Sequence, residues 1–238
     1  TKLFLIFDGI KKYRALDNFL KKYNNVLNEE HLLIIYKQIL ESVNYLHLNK
    51  IYGCALCLDS FIYDKTSQTI KLTDLGFSKI LIDINGKTND NKLQNGLTFN
   101  EYVPPEYLSK ICESNKITDR ENYYNVSYDL WQLGILFFKI ATFGDSPYNN
   151  TKNEELKENI LKGNINYSKL DKYSNEIMQI IDQLLQFEPE KRSSINTLLG
   201  LLKSMSKSLS LNINNESLSS IIKKTELLKK LNKMNKNI

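Results

Sequence analysis

Ser127-Tyr128-Asp129-Leu130-Trp131-Gln132-Leu133-Gly134-Ile135-Leu136-Phe137-Phe138-Lys139-Ile140 is the stretch on which the fold turns. From Leu133 to Ile140 nearly every position is apolar, so no face is left for water. A helix apolar all round lies inside a core. It is too short, and interrupted by Lys139, to span a membrane. Asp129 stands near its start, where a carboxylate can meet unpaired backbone N–H groups and the positive end of the helix dipole. The rest of the chain is therefore expected to pack around one buried helix.

Working outward, 238 residues suffice for one large domain or a domain with an appendage. Hydrophobic residues make up 42% and charged ones 25%, a globular balance that supports a sizeable core. The net charge of +5 is modest, and the basic residues are spread along the chain except near the C-terminus. A nucleic-acid partner is not expected. Three cysteines without a secretory leader suggest a reducing compartment and a cytoplasmic protein. No apolar run approaches membrane length. The chain opens at Thr1 inside an apparent strand, as if cut from something longer.

Residues Lys2 to Asp8 form an apolar run of strand length that ends at Gly9. Leu16 to Lys22 reads as a short helix. Asn28 can cap a longer one, with Glu29 and Glu30 in its first turn and Leu32, Ile35, Ile39, Val43 and Leu46 at helical spacing. Phe61 to Tyr63 and Ile70 to Thr73 flank a polar turn and read as a hairpin. Asp83 to Asn100 is polar, Asn-rich and aperiodic, a long loop. After the central helix and the turn Gly144-Asp145-Ser146-Pro147, amphipathic helices are expected at Glu154 to Leu161, Asn175 to Phe187 and Ser193 to Leu202. Residues 207–215 read as a linker and 216–238 as a basic amphipathic helix. The class is α+β, mainly α.

Four motifs fall in an order that carries a resemblance. Asp74-Leu75-Gly76 follows a strand. Val103-Pro104-Pro105-Glu106 precedes the central helix, which opens with Asp129, Trp131 and Gly134. Glu188-Pro189-Glu190-Lys191-Arg192 comes after it. Together they resemble the Asp-Phe-Gly motif, the Ala-Pro-Glu motif, the central helix and the late arginine of the large lobe of a eukaryotic protein kinase. The resemblance covers residues 1–206 and implies a hinge strand and large lobe with small β-hairpins. Phe7 falls at its gatekeeper position, and Asp8 and Gly9 begin the hinge. The Gly-rich loop, lysine-bearing strand and glutamate-bearing helix of the small lobe have no room before Thr1. The small lobe is therefore expected to be absent from this chain.

In the catalytic loop the resemblance implies a loss. The family pattern His-Arg-Asp, with Lys two residues on and Asn five beyond the Asp, falls on Gly53-Cys54-Ala55, Cys57 and Ser60. Ala55 has a methyl group where the aspartate would orient the substrate hydroxyl and take its proton. Cys57 carries no fixed charge for a phosphate, and the neutral hydroxyl of Ser60 is a poor ligand for magnesium. Asp74 keeps a carboxylate for one metal ion. Asp8, Gly9 and Ile62 are the other positions implied to touch a nucleotide. ATP and Mg²⁺ are expected only if a small lobe lies upstream. The implied reading is a pseudokinase serving as a binding or regulatory scaffold. The alternative is an active, divergent Ser/Thr kinase whose base is Asp59 or the substrate itself.

Other residues weigh toward structure. Glu106 and Arg192 are implied to form a buried ion pair, and Asp129 to hold the catalytic loop from beneath. Cys54 and Cys57 have redox or zinc spacing, but only Cys112, His31 and His47 remain as further ligands, with no second close pair. His47 reads as a satisfied core histidine and His31 as an exposed one. Thr88, Thr98 and Tyr102 are candidate phosphorylation positions, although Cys54 cannot receive a phosphate as the family arginine does. A protein partner is expected. The C-terminal helix reads first as packing on its own lobe, then as entering a partner groove or lying on an anionic membrane.

Overall fold

Asn125, not Asp129, caps the central helix. Its side chain accepts a hydrogen bond from the Tyr128 N–H at 3.1 Å, and the helix, α4, runs Val126–Thr142. The structure, a computed structural model, describes residues 13–24, 26–73, 100–114, 125–148 and 153–208, together with 218, 220, 222, 223, 225–227 and 229. Ahead of α4 come β1 (Tyr13–Ala15), α1 (Leu16–Tyr23), α2 (Glu29–Leu48), β2 (Phe61–Asp64), β3 (Thr69–Leu72) and α3 (Pro105–Ser114). After it come α5 (Asn153–Lys162), α6 (Asn175–Leu184) and α7 (Ile195–Ser208). The apolar run of 2–8 and most of the loop at 83–100 lie outside the described residues.

Burial of α4 follows its sequence. Every residue from Tyr128 to Phe138 is buried, as are Ile140 and Ala141. α6 runs along it, and α2 lies against it on another side. Tyr36 of α2 stacks on Phe137 with ring centroids 3.9 Å apart and donates its hydroxyl to the Phe137 carbonyl at 2.7 Å. Gly134 is required where α4 meets the end of α6. A Cβ there would lie 2.5 Å from Leu185 Cδ2 and 2.6 Å from its Cγ.

The sheet has three antiparallel strands in the order β1-β2-β3. The hairpin agrees with the sequence reading to within a residue at each strand. Asp64 closes its turn by accepting from the Thr66 N–H, the Ser67 hydroxyl and Lys71 Nζ. Lys71 above all holds the Asp64 carboxyl well below the usual carboxylate range. β1 has no alternation to announce it and is a strand only because Tyr13, Arg14 and Ala15 pair with Asp64, Tyr63 and Ile62.

Several boundaries and one histidine differ from expectation. α6 ends at Leu184, three residues before Phe187, because Leu185 must turn to pack beneath Gly134. α7 continues to Ser208, past the boundary at 206 and into the presumed linker. His31 is buried, not exposed, because it completes the cap of α2. Its backbone N–H donates to Asn28 Oδ1 at 3.3 Å, and its Nδ1 accepts from the Asn28 N–H at 3.2 Å. Leu218 and Ile222 of the C-terminal segment belong to the same core as α4. Among the described residues no helix is long and apolar enough to cross a membrane.

Candidate functional site

The loop between α2 and β2 is held from α4 as well as by hydrogen bonds of its own. Asp129, fully buried, accepts the Gly53 N–H at 2.9 Å and the Cys54 N–H at 2.8 Å. Its Oδ2 also lies 2.9 Å from Nε2 of His47, at the end of α2. One turn on, Gln132 Oε1 accepts the Leu56 N–H at 2.8 Å. The carboxylate near the start of α4 is therefore spent on another segment, while Asn125 serves the helix. Neither Gln132 nor the His47 contact was legible, since 76 and 82 positions separate the partners.

So held, the loop takes three left-handed residues, Lys50 at φ +59°, Gly53 at φ +70° and Ala55 at φ +50°. Glycine adopts that region freely and Asp or Asn tolerate it, but alanine is strained there by about 1–2 kcal/mol. Replacing Ala55 with Gly relieves this and returns part of it as unfolded-chain entropy. Ala55→Gly is expected to raise stability by about 0.5–1 kcal/mol, read from the urea midpoint. A drop would mean the methyl group makes a packing contact worth more than the strain.

Ser60 is occupied. Its Oγ donates to the Ala55 carbonyl at 3.1 Å, accepts the Cys57 N–H at 3.2 Å and lies 3.3 Å from Cys57 Sγ. The hydroxyl's proton and acceptor capacity thus serve the loop. These donors do not fit a magnesium ion, which asks for hard, anionic oxygens. Cys54 is buried, Cys57 half-buried and Cys112 exposed. No group of three His, Cys, Asp or Glu side chains suited to a metal occurs among the described residues. Asp8, Gly9, Asp74, Thr88 and Thr98 lie outside them. Ile62 is half-buried on β2.

Beside the loop opens a cavity of about 500 Å³, lined among others by Asp17, Lys21, Cys57, Asp59, Tyr102 and Lys139. Asp17 pairs with Lys21 at 2.7 Å, and Lys139 pairs with Glu101. Glu101 also accepts the Ser146 hydroxyl at 2.7 Å, and its carbonyl accepts Trp131 Nε1 at 3.2 Å. Lys139, which interrupts the apolar helix, is thus matched by a carboxylate 38 positions away, too far along the chain to be read from spacing. Tyr102, a phenol on the cavity wall, is half-buried. Burial raises that phenol well above its ordinary range. Asp59 stands exposed at the cavity wall.

Below the loop, Arg192 Nη1 and Nη2 each lie 2.7 Å from one oxygen of Glu106. Arg192 also donates to the carbonyls of Ser127, Gln186 and Phe187 and lies over Trp131, 5.1 Å from the ring centroid. Trp131 is wholly buried.

A family model described as the protein kinase domain matches residues 1–201. Among curated proteins, the chain is 29% identical over 192 residues to the phosphorylase b kinase gamma catalytic chain, liver/testis isoform, of Rattus norvegicus, covering 80% of this chain and 44% of that protein. It is 27% identical over 198 residues to the probable serine/threonine-protein kinase fhkA of Dictyostelium discoideum, covering 73% and 32%. It is 26% identical over 183 residues to the serine/threonine-protein kinase Nek8 of Danio rerio, covering 77% and 24%. The chain spans less than half the length of each of these relatives.

Proposed function

Since the chain belongs to the protein kinase domain family, we propose that it is a pseudokinase, a kinase-like large lobe that binds partner proteins and transfers no phosphate. The observation that carries this reading is Ala55. Its backbone is held in the left-handed region, which aspartate tolerates better than alanine, by a loop tied down at Gly53, Cys54 and Leu56. The residue there has no group that could accept a proton. A missing general base costs about 10²–10⁴-fold in rate. Cys57 and Ser60 supply neither a fixed cation nor an anionic metal ligand, which deepens the loss. On this reading ATP and Mg²⁺ are not required.

A second reading keeps catalysis. Asp59 shares the cavity wall with Cys57, and the matched relatives are named as kinases. In this reading Asp59 takes the proton, and ATP and Mg²⁺ are used with a small lobe upstream of Thr1. The two part on one variant, tested with whatever sequence precedes Thr1 in the natural reading frame. Transfer above background that vanishes in Asp59→Asn supports the second reading. Transfer at background in both forms supports the first.

A further inference from the structure

α2 ends on apolar side chains that its own lobe leaves in water. Tyr45 and Leu48 are 68% and 74% exposed, three positions apart on the last turn and so on one face. The chain then turns through Lys50, left-handed at φ +59°, and the Ile51 N–H donates back to the Leu46 carbonyl at 3.0 Å. That turn keeps Ile51 and Tyr52, 43% and 41% exposed, at the end of the helix. Tyr52 lies beside His47, with ring centroids 5.5 Å apart. Single exposed apolar residues are ordinary, but a group of large ones rimmed by charge marks a contact surface. Two of these four are tyrosines, a type enriched where interfaces are anchored.

The charges at the rim decide what covers it. Glu41 stands one turn before Tyr45 on the same face of α2. Its side chain is 49% exposed, with one oxygen 2.7 Å from Lys37 Nζ. Lys50 is exposed just past the other end of the helix. The apolar group thus has an anion on one side and a cation on the other, equally far along the chain from the midpoint between Tyr45 and Leu46. We propose that a second copy of this chain docks here, about a two-fold axis that crosses α2 beside Tyr45. A two-fold contact is self-complementary, each residue meeting the other copy's counterpart in both directions. Such an axis sets the two α2 helices antiparallel and brings each Glu41 toward Lys50 of the other copy. Tyr45, Leu48, Ile51 and Tyr52 of both copies then leave water together. A uniformly acidic or basic partner would meet one charge of its own sign, and an anionic membrane would meet Glu41. A second copy turned end for end meets neither. The inference goes beyond the pseudokinase reading and does not depend on it.

The test is sedimentation equilibrium of the 238-residue chain over a range of concentrations. The parent is expected to move from the monomer mass to twice that mass as concentration rises. Leu48→Asp is expected to weaken self-association about tenfold or more. Since Leu48 is already exposed, the variant should keep the parent melting temperature at a concentration where both are monomeric. Glu41→Lys and Lys50→Glu are each expected to weaken the dimer by setting like charges together, and the double variant, with the two charges exchanged, to recover it. That recovery separates pairing between copies from a structural role within one. A parent that stays monomeric throughout, a dimer untouched by Leu48→Asp, or a double variant no tighter than the single ones overturns the proposal. Phosphate transfer is not part of the readout, so failure here leaves the pseudokinase reading standing.

Discussion

Glu106→Ala is expected to lower the unfolding free energy by about 3–5 kcal/mol, because it strands a buried cation. The side chain of Arg192 is 0% exposed and that of Glu106 30% exposed. Water can reach the carboxylate but not the guanidinium. Removing the acid therefore leaves, among the described residues, a charge met by three neutral carbonyls and the face of Trp131. Arg192→Ala is expected to cost a similar amount for a different reason, since the Ser127, Gln186 and Phe187 carbonyls lose their donor together. The double variant should cost less than the two single losses combined, because the stranded charge disappears with its partner. Denaturant midpoints of the four proteins check this. Independent, additive losses would mean the two side chains do not work as a pair.

Asp129→Ala carries an expected loss of comparable size and a more local signature. It deprives the Gly53 and Cys54 N–H groups of their acceptor, and the His47 ring of its partner. Each buried donor left unmet costs about 1–3 kcal/mol, so a total of about 3–5 kcal/mol is expected from the urea midpoint. Hydrogen exchange at the Gly53 and Cys54 amides should speed up beyond what the global loss explains. Exchange there that merely tracks global unfolding would show that the loop holds its shape without Asp129.

Signals that act along the chain were legible and those that act across space were not. The apolar stretch of α4 identified the buried helix, and Asn28 marked the start of α2. The mutual placement of Glu106 and Arg192 came from motif resemblance, since 86 positions separate them. By contrast, β1 exists only through its pairing with β2, and Gln132 looked like one polar residue in an apolar run. His31 was misread because a polar first-turn residue is usually solvated, whereas here the Asn28 cap draws it inward. The hold of Asp129 on the neighbouring loop came from the motif resemblance, and the structure has it accepting the Gly53 and Cys54 N–H groups. The cap of its own helix, Asn125, was not picked out.

The most direct measurement is phosphate transfer from Mg–ATP to a generic protein substrate. It is made on the chain together with any sequence that precedes Thr1 in its reading frame, beside an Asp74→Ala control. Equal, background transfer is expected in both. Transfer by the parent well above that control would overturn the pseudokinase reading.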